Sequence, residues 1–189
     1  MAIDPRPVVV FLGDSLTAGF GLSEEQAYPA LIATRLAAEG RDVRVVNAGL
    51  SGDTTAGGLR RLDWLLSQEP DVVMVALGGN DGLRALALES TEANLRAIIE
   101  QSREVGAVVV LAGMLIPPNY GPEYTEAFAA IYPRLADEYE VVFIPFLLEG
   151  VAADPELNLP DGIHPNVAGQ KILAETVYPV IESALSGNG

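Results

Sequence analysis

Ser15, Asp161 and His164 are the residues whose types and spacing could do chemistry together. A serine hydroxyl is a weak nucleophile that needs an adjacent general base. His164 is the only histidine of the chain, and an imidazole suits that role because it ordinarily exchanges a proton near pH ~6.5. Asp161 lies three residues before His164, so one tight turn can bring its carboxylate to the imidazole Nδ1. We expect these side chains to act as nucleophile, orienting acid and base.

Three hydrogen-bond donors near the same serine could stabilise the negative charge that develops on an attacked carbonyl. Such donors must lie ~3 Å from the oxyanion. The backbone N–H of Ser15 begins a turn, and Gly49 offers a second N–H because a small residue at a strand end can face a cleft. Asn80 offers a side-chain amide. With these donors the sequence contains every part that acyl transfer through an acyl-enzyme requires.

Short apolar runs alternate with helical patterns along the chain. Strands are predicted at Pro7–Leu12, Val43–Val46, Asp71–Leu77, Ala107–Leu111 and Val141–Ile144. Helices are predicted at Tyr28–Glu39, Gly57–Gln68, Thr91–Val105 with Thr91 as N-cap, Tyr124–Tyr139, and Val167–Leu185 with a break near Pro179.

These strands are apolar on both sides, which favours a sheet covered by helices on both faces. We predict one α/β domain over residues 1–189, a three-layer sandwich with a five-stranded parallel sheet of the flavodoxin-like type. In such folds the ligand site lies beyond the carboxyl ends of the strands. Ser15, Gly49 and Asn80 each follow a predicted strand, and the loop of His164 follows the fifth. All four segments can therefore meet at one edge of the sheet.

The composition excludes several classes of partner and site. The chain has 11 Lys and Arg against 26 Asp and Glu, a formal net charge of -15. A nucleic-acid-binding protein needs a basic surface, and an anionic membrane would repel this chain. The absence of cysteine excludes disulfides, cysteine-ligated metals and a catalytic cysteine, and a single histidine excludes multi-histidine metal sites. We therefore expect a small-molecule substrate, with no nucleic acid and no metal.

No apolar run approaches the ~20 residues of a membrane-spanning helix, so stable membrane insertion is not expected. The stretch Val8–Leu12 is too short for the core of a signal peptide. We expect a soluble chain, cytoplasmic as it stands, or periplasmic or secreted if a signal peptide has been removed. A monomer or a weak dimer is compatible with this pattern.

Each polar segment taken alone is typical of an ordinary turn. Four such segments in order favour a catalytic set instead. Asp14, Asp53 and Asp81 favour loop anchoring over acid–base roles, since Asp14 points away from its neighbour on an extended segment and short carboxylates brace local backbone. A hard-cation site is not predicted, because nothing resembles a calcium loop of the D-x-D-x-D-G type.

The segment Gly13-Asp14-Ser15-Leu16 resembles the first block of the GDSL, or SGNH, hydrolases. The positions that match the functional residues of that family are Ser15 (nucleophile), Gly49 and Asn80 (oxyanion donors), and Asp161 and His164 (the Asp-x-x-His of the fifth block). The order and spacing fit over the whole chain. The resemblance implies the SGNH hydrolase fold and serine-dependent hydrolysis.

Three further segments, Leu77–Arg84, Pro118–Gly121 and Ala130–Pro133, resemble the branch of bacterial thioesterases, lysophospholipases L1 and arylesterases. That resemblance implies cleavage of esters and thioesters, such as arylesters, short to medium acyl chains, acyl-CoA or lysophospholipid, without a metal or organic cofactor. A carbohydrate acetylesterase of the same family is an alternative. A second alternative is a flavodoxin-like module that binds a phosphate-bearing cofactor at Ser15–Gly19.

An acyl chain needs an apolar lining beside the nucleophile. The candidates on long loops near the predicted site are Leu83, Ile116, Pro117 and Tyr120. The loop over residues 82–90 follows Asn80 directly and is a candidate lid.

Overall fold

Five strands form one parallel sheet in the computed structural model, which describes residues 6–187 of the chain. The strands are β1 (Val8–Gly13), β2 (Arg44–Gly49), β3 (Val72–Ala76), β4 (Val108–Ala112) and β5 (Val142–Ile144). Their order in the sheet is β2-β1-β3-β4-β5, and every pairing is parallel. The predicted fold class is confirmed.

The central strands are apolar because both of their faces are covered. Every residue of β1 and β3 is buried, and the valines at 8–10, 72, 73 and 75 pack into one core with the helices. Strands β2 and β5 lie at the sheet edges and are only partly buried. Continuous burial explains why these strands appear in the sequence as unbroken apolar runs.

Eight α-helices cover the two faces of the sheet within residues 6–187. They are α1 (Ser15–Ala18), α2 (Tyr28–Ala38), α3 (Thr55–Arg60), α4 (Leu62–Leu66), α5 (Gly79–Leu83), α6 (Leu88–Glu104), α7 (Pro122–Tyr139) and α8 (Val167–Leu185). Helix α2 packs beside α8, and α6 packs beside α3 and α7. The helices therefore form the two outer layers of a three-layer sandwich.

Three helix predictions were wrong in detail. The helix predicted over residues 57–68 is divided at Arg61, whose guanidinium bonds to Asp53 and to the end of β1. Thr91 is not an N-cap, because α6 begins one turn earlier and the buried Thr91 hydroxyl donates to Asp81 instead. Helix α8 continues through Pro179, because burial of Val177, Tyr178 and Ile181 compensates for the missing backbone hydrogen bond.

The sheet order places a crevice at the carboxyl ends of β1 and β3. The chain leaves β1 toward β2 on one side and continues from β3 toward β4 on the other, so the winding direction changes between β1 and β3. Ligand sites of open α/β sheets lie at such a switch point. Ser15 follows β1 and Asn80 follows β3, so the two residues begin on either side of this crevice.

Asp81 braces the loops at this edge, as the sequence predicted. Its carboxylate is 2% exposed and accepts hydrogen bonds from the Thr55 N–H at 2.9 Å, the Thr55 hydroxyl at 2.6 Å and the Thr91 hydroxyl at 3.3 Å. These bonds join the start of α3 to α5 and α6.

Asp81→Ala should lower the free energy of unfolding by roughly 2–4 kcal/mol, because it leaves buried donors without an acceptor. Urea unfolding measures the change. The exposed Asp63→Ala on α4 is the control and should stay within about 0.5 kcal/mol of wild type. Equal stability of the two variants would contradict the bracing role of Asp81.

Candidate active site

Ser15 is the first residue of α1. Asp14 is the N-cap of this helix, and its Oδ1 accepts a hydrogen bond from the Leu16 N–H at 3.0 Å. Aspartate is a favoured N-cap because its side chain satisfies an amide that has no acceptor inside the helix. The N–H of Ser15 also lacks an acceptor within α1, since it belongs to the first turn. Ser15 therefore lies at the crevice, and its backbone N–H is free to donate a hydrogen bond.

The structure brings Ser15, His164 and Asp161 together in one hydrogen-bonded chain. His164 Nε2 lies 2.9 Å from Ser15 Oγ, and His164 Nδ1 lies 2.7 Å from Asp161 Oδ2. The serine and the histidine are 149 positions apart in the chain. This arrangement lets the imidazole take a proton from the hydroxyl while the carboxylate fixes its tautomer.

Three hydrogen-bond donors hold Asp161 in its charged form. Its oxygens accept the backbone N–H of His164 at 3.0 Å, the imidazole at 2.7 Å and the Ile163 N–H at 2.9 Å. These donors, the His164 backbone first among them, lower the pKa of Asp161 to about 2. The same tight turn that the Asp-x-x-His spacing predicted therefore orients the carboxylate and keeps it charged.

Phe20 contacts the other side of the histidine and was not anticipated from the sequence. Its ring lies 4.4 Å from the His164 ring, centroid to centroid, at an interplanar angle of 35°. The side chain is 46% exposed, so it covers the imidazole without being part of the core. An aromatic residue soon after the nucleophile is only a weak signal, because the contact forms between the two ends of the chain.

Asn80 lies beside Asp14, the residue that precedes Ser15, and its side-chain amide is already hydrogen-bonded. Its Nδ2 donates to the Asp53 carbonyl at 2.9 Å and to Asp14 Oδ2 at 3.2 Å. The longer bond, to Asp14, points back toward the residue that precedes the nucleophile. Both N–H groups of this amide therefore already have acceptors in the structure.

Gly49 does not offer the free N–H that its place at the strand end predicted. Its N–H donates to Asn47 Oδ1 at 2.9 Å, so it is not a free donor. A Cβ on Gly49 would lie 2.2 Å from the Ala18 nitrogen, which shows how closely α1 packs over the end of β2. The glycine is required for this close approach.

Gly52, in the loop that follows β2, has an N–H for which the described residues 6–187 provide no acceptor. Its φ of +80° suits glycine, and its carbonyl accepts a hydrogen bond from Arg84 Nη2 at 2.9 Å. The next residue, Asp53, forms an ion pair with Arg61 at 2.8 Å, and Arg61 also donates to the Gly13 carbonyl at 3.0 Å. Sequence reasoning noted this polar segment but missed its free amide, which only the loop conformation reveals.

Of the predicted substrate residues, Leu83 ends α5, and the other three follow β4. Tyr120 donates from its hydroxyl to the Leu83 carbonyl at 2.7 Å. Ile116 packs against Gly82, where a Cβ would approach Ile116 Cγ2 to 2.5 Å. Pro117 is exposed ahead of a short helical turn over residues 118–120. The structure thus joins the Leu83 segment to the loop after β4.

Within residues 6–187 we find no group of three or more acidic or histidine side chains arranged to hold a metal ion. The helices of that part of the chain are also too short or too polar to cross a membrane.

A parallel α/β sandwich with a Ser–His–Asp chain at the carboxyl edge of its sheet defines a serine hydrolase. Residues 11–172 match the profile of the GDSL-like Lipase/Acylhydrolase family. The chain belongs to this family and is a carboxylic ester hydrolase of the SGNH type.

Known relatives resemble the chain over most of its length. Esterase TesA of Pseudomonas aeruginosa is 46% identical over 178 residues, which are 94% of this chain and 89% of that protein. Thioesterase 1/protease 1/lysophospholipase L1 of Escherichia coli K12 is 44% identical over 168 residues, 88% of this chain and 79% of that protein. A crystal structure of TesA aligns with a TM-score of 0.90 at 45% identity and covers 94% of this chain and 99% of its own.

Asp14→Asn should flatten the pH dependence of stability between about pH 4 and 6. Burial raises the pKa of Asp14 from 3.8 to about 6. Across this window the folded chain binds the Asp14 proton more tightly than the unfolded chain does, so the contribution of Asp14 to stability falls as the pH rises. Asparagine has no proton to lose in this range. The variant should therefore lack the decrease of roughly 2–3 kcal/mol in unfolding free energy that Asp14 causes in the wild type.

Urea unfolding at intervals across this pH range measures both slopes. The exposed Asp63→Asn is the control and should keep the wild-type slope. If Asp14→Asn and wild type lose stability in parallel, burial of the Asp14 carboxylate is not the cause.

Proposed function

We propose that this protein cleaves carboxylic esters and thioesters through an acyl-enzyme formed on Ser15. The observation that supports this most directly is the chain of hydrogen bonds from Ser15 Oγ through His164 to Asp161, at 2.9 and 2.7 Å. His164 accepts the serine proton as the hydroxyl attacks the acyl carbonyl. It then protonates the leaving alcohol or thiol and later activates the water that releases the acid.

The oxyanion is held by the Ser15 N–H, the Asn80 amide and the Gly52 N–H in this proposal. Gly52 takes the role expected of Gly49, because the Gly49 amide is bonded to Asn47 whereas that of Gly52 has no acceptor among residues 6–187. The loop of Gly52 is also joined to Asn80, since Asn80 Nδ2 donates to the carbonyl of Asp53, the residue after Gly52. The Ser15 and Gly52 N–H groups are fixed by the backbone and have no acceptor among residues 6–187, so they can stabilise the transition state with little reorganisation.

An acyl or aryl group fits the surface around the triad. Most of the large apolar side chains that the described residues expose lie on segments that follow strands at the carboxyl edge: Phe20, Leu50, Leu83, Leu86, Leu115 and Ile163. Two others, Trp64 and Val105, lie elsewhere. An apolar rim around a polar catalytic centre favours an ester whose acyl group is hydrophobic.

Ser15→Ala should lower kcat by about 10⁴-fold or more and leave the unfolding free energy within about 1 kcal/mol, because the hydroxyl faces the site and not the core. The assay is a series of p-nitrophenyl esters from acetate to palmitate, run beside acyl-CoAs. Ser67→Ala is the matched control, since Ser67 is exposed and its hydroxyl donates to the Trp64 carbonyl of α4. Retained turnover in Ser15→Ala would remove this serine from the mechanism.

Leu83→Ala should raise KM for p-nitrophenyl octanoate by roughly 3–10-fold, the effect of losing about 1 kcal/mol of apolar contact, and change KM for the acetate less than about 2-fold. Leu83 is 38% exposed, so folding should be little affected. Val105→Ala removes an exposed apolar side chain from the end of α6 and should change neither value. An equal effect on both esters would argue against contact of Leu83 with the acyl chain.

A further inference from the structure

Helix α1, which carries Ser15, is only four residues long and depends on hydrogen bonds from other elements. A helix of this length cannot satisfy its last carbonyls internally. Two side-chain carboxamides supply the missing donors. Gln170 Nε2 donates to the Leu16 carbonyl at 3.1 Å, and Asn47 Nδ2 donates to the Thr17 carbonyl at 3.0 Å. The two amides come from α8 and β2, so the helix is held from two sides.

Each carboxamide also accepts a backbone N–H with its oxygen. Gln170 Oε1 accepts from Tyr28 at 2.8 Å, and Tyr28 is the first residue of α2, whose N–H has no acceptor in its own helix. Asn47 Oδ1 accepts from Gly49 at 2.9 Å. A carboxylate could not donate in this position, and an apolar side chain would leave both backbone groups unpaired. The amide is therefore the side chain that the site requires.

Gln170 connects α1, which carries Ser15, to α8, the helix that follows His164. His164 lies just ahead of α8, whose N-cap Asn166 accepts from Ala168. Among the described residues, only two hydrogen bonds join residues 15–18 to the chain beyond Asp161. One is the contact between Ser15 and His164, and the other is that of Gln170 with Leu16. Gln170 is 1% exposed, so water does not compete for this bond.

A second buried hydrogen bond joins α1 to α2. The Thr17 hydroxyl lies 2.9 Å from the Tyr28 hydroxyl, and both residues are fully buried. Helix α1 is thus joined to α2 and, through Gln170, to α8. Because neutral groups make these bonds, they hold the helix without adding charge near Asp14, whose buried carboxylate already disfavours ionisation.

We propose that Gln170 and Asn47 are positioning residues for the nucleophile: their carboxamides hold α1 so that the Ser15 hydroxyl stays in line with the His164 imidazole. Both carboxamides bond backbone groups and lie outside the Ser15–His164–Asp161 chain. The proposal rests on the catalytic roles proposed above for Ser15 and His164. A displacement of α1 by a fraction of an ångström would leave α5 and the segment after β4 in place and lengthen the contact between the Ser15 hydroxyl and the His164 imidazole.

Gln170→Met and Asn47→Leu keep the approximate size of each side chain and remove the carboxamide. Each should lower kcat by about 10–100-fold and keep KM within about 3-fold, because alignment and not binding is lost. The rate at which diisopropyl fluorophosphate inactivates the enzyme should fall by a similar factor, since that rate reports the reactivity of the Ser15 hydroxyl. Circular dichroism establishes that each variant is folded under the assay conditions.

Leu173→Ala and Val45→Ala are the matched controls. Leu173 is fully buried on α8, and Val45 packs against the core from β2, so both variants weaken the same elements without removing a bond to α1. Both should keep kcat and the inactivation rate within about 2-fold despite lower stability. Asn47→Asp is a milder variant that keeps the acceptor for Gly49 and loses the donor to Thr17. It should lose kcat as Asn47→Leu does.

Ser15→Ala, measured in parallel, distinguishes the catalytic role of Ser15 from the positioning role of Gln170 and Asn47. If Ser15→Ala keeps its turnover, the catalytic role of the serine is wrong. If Ser15→Ala is inactive while the folded carboxamide variants keep kcat and inactivation rate, only the positioning role is wrong. A loss of kcat in the controls equal to that in the carboxamide variants, or failure of all three carboxamide variants to fold, would show a scaffold role and overturn the inference as well.

Discussion

The pairing of β1 with both β2 and β3 is the contact on which the rest of the structure depends. Every residue of β1 and β3 is buried, so no water reaches their backbone groups and the parallel ladders have to satisfy them. Parallel strands require helical crossovers, and these cover both faces of the sheet. The carboxyl ends of β1 and β3 consequently stop side by side, and Ser15 and Asn80 begin where they stop.

Two carboxylates at this edge have opposite environments and different tasks. Asp161 is partly exposed, accepts three hydrogen bonds and has its pKa lowered to about 2, so it stays charged beside the imidazole. Asp14 is buried, and burial raises its pKa to about 6 while it caps the nucleophile helix. Environment therefore assigns the roles of two identical side chains. Only Asp161 contacts His164 directly, which agrees with its place in the proposed triad.

Neutral amides and arginines organise a site that belongs to a strongly acidic chain. Asn47 and Gln170 hold α1 through carboxamides, whereas Arg61 and Arg84 hold the loop of Gly52. Additional carboxylates would make the electrostatic potential at the site more negative and would oppose the proposed oxyanion. The membership of the GDSL-like family explains the chemistry of the site, and these contacts explain how this particular chain keeps its parts in place.

The sequence alone determined the sheet, the order of its elements and the candidates Ser15, Asn80, Asp161 and His164, because buried parallel strands are apolar runs and polar residues at their ends are conspicuous. The Asp-x-x-His spacing even predicted the turn that joins Asp161 to the imidazole. Only the tertiary structure decided which amides are free, since Asn47 occupies the N–H of Gly49 and the loop conformation frees that of Gly52. Contacts such as those of Phe20 with His164 join positions far apart in the chain, and no local pattern encodes them. Propensity and periodicity describe neighbours in sequence, whereas the donors and acceptors of a site are assigned by neighbours in space.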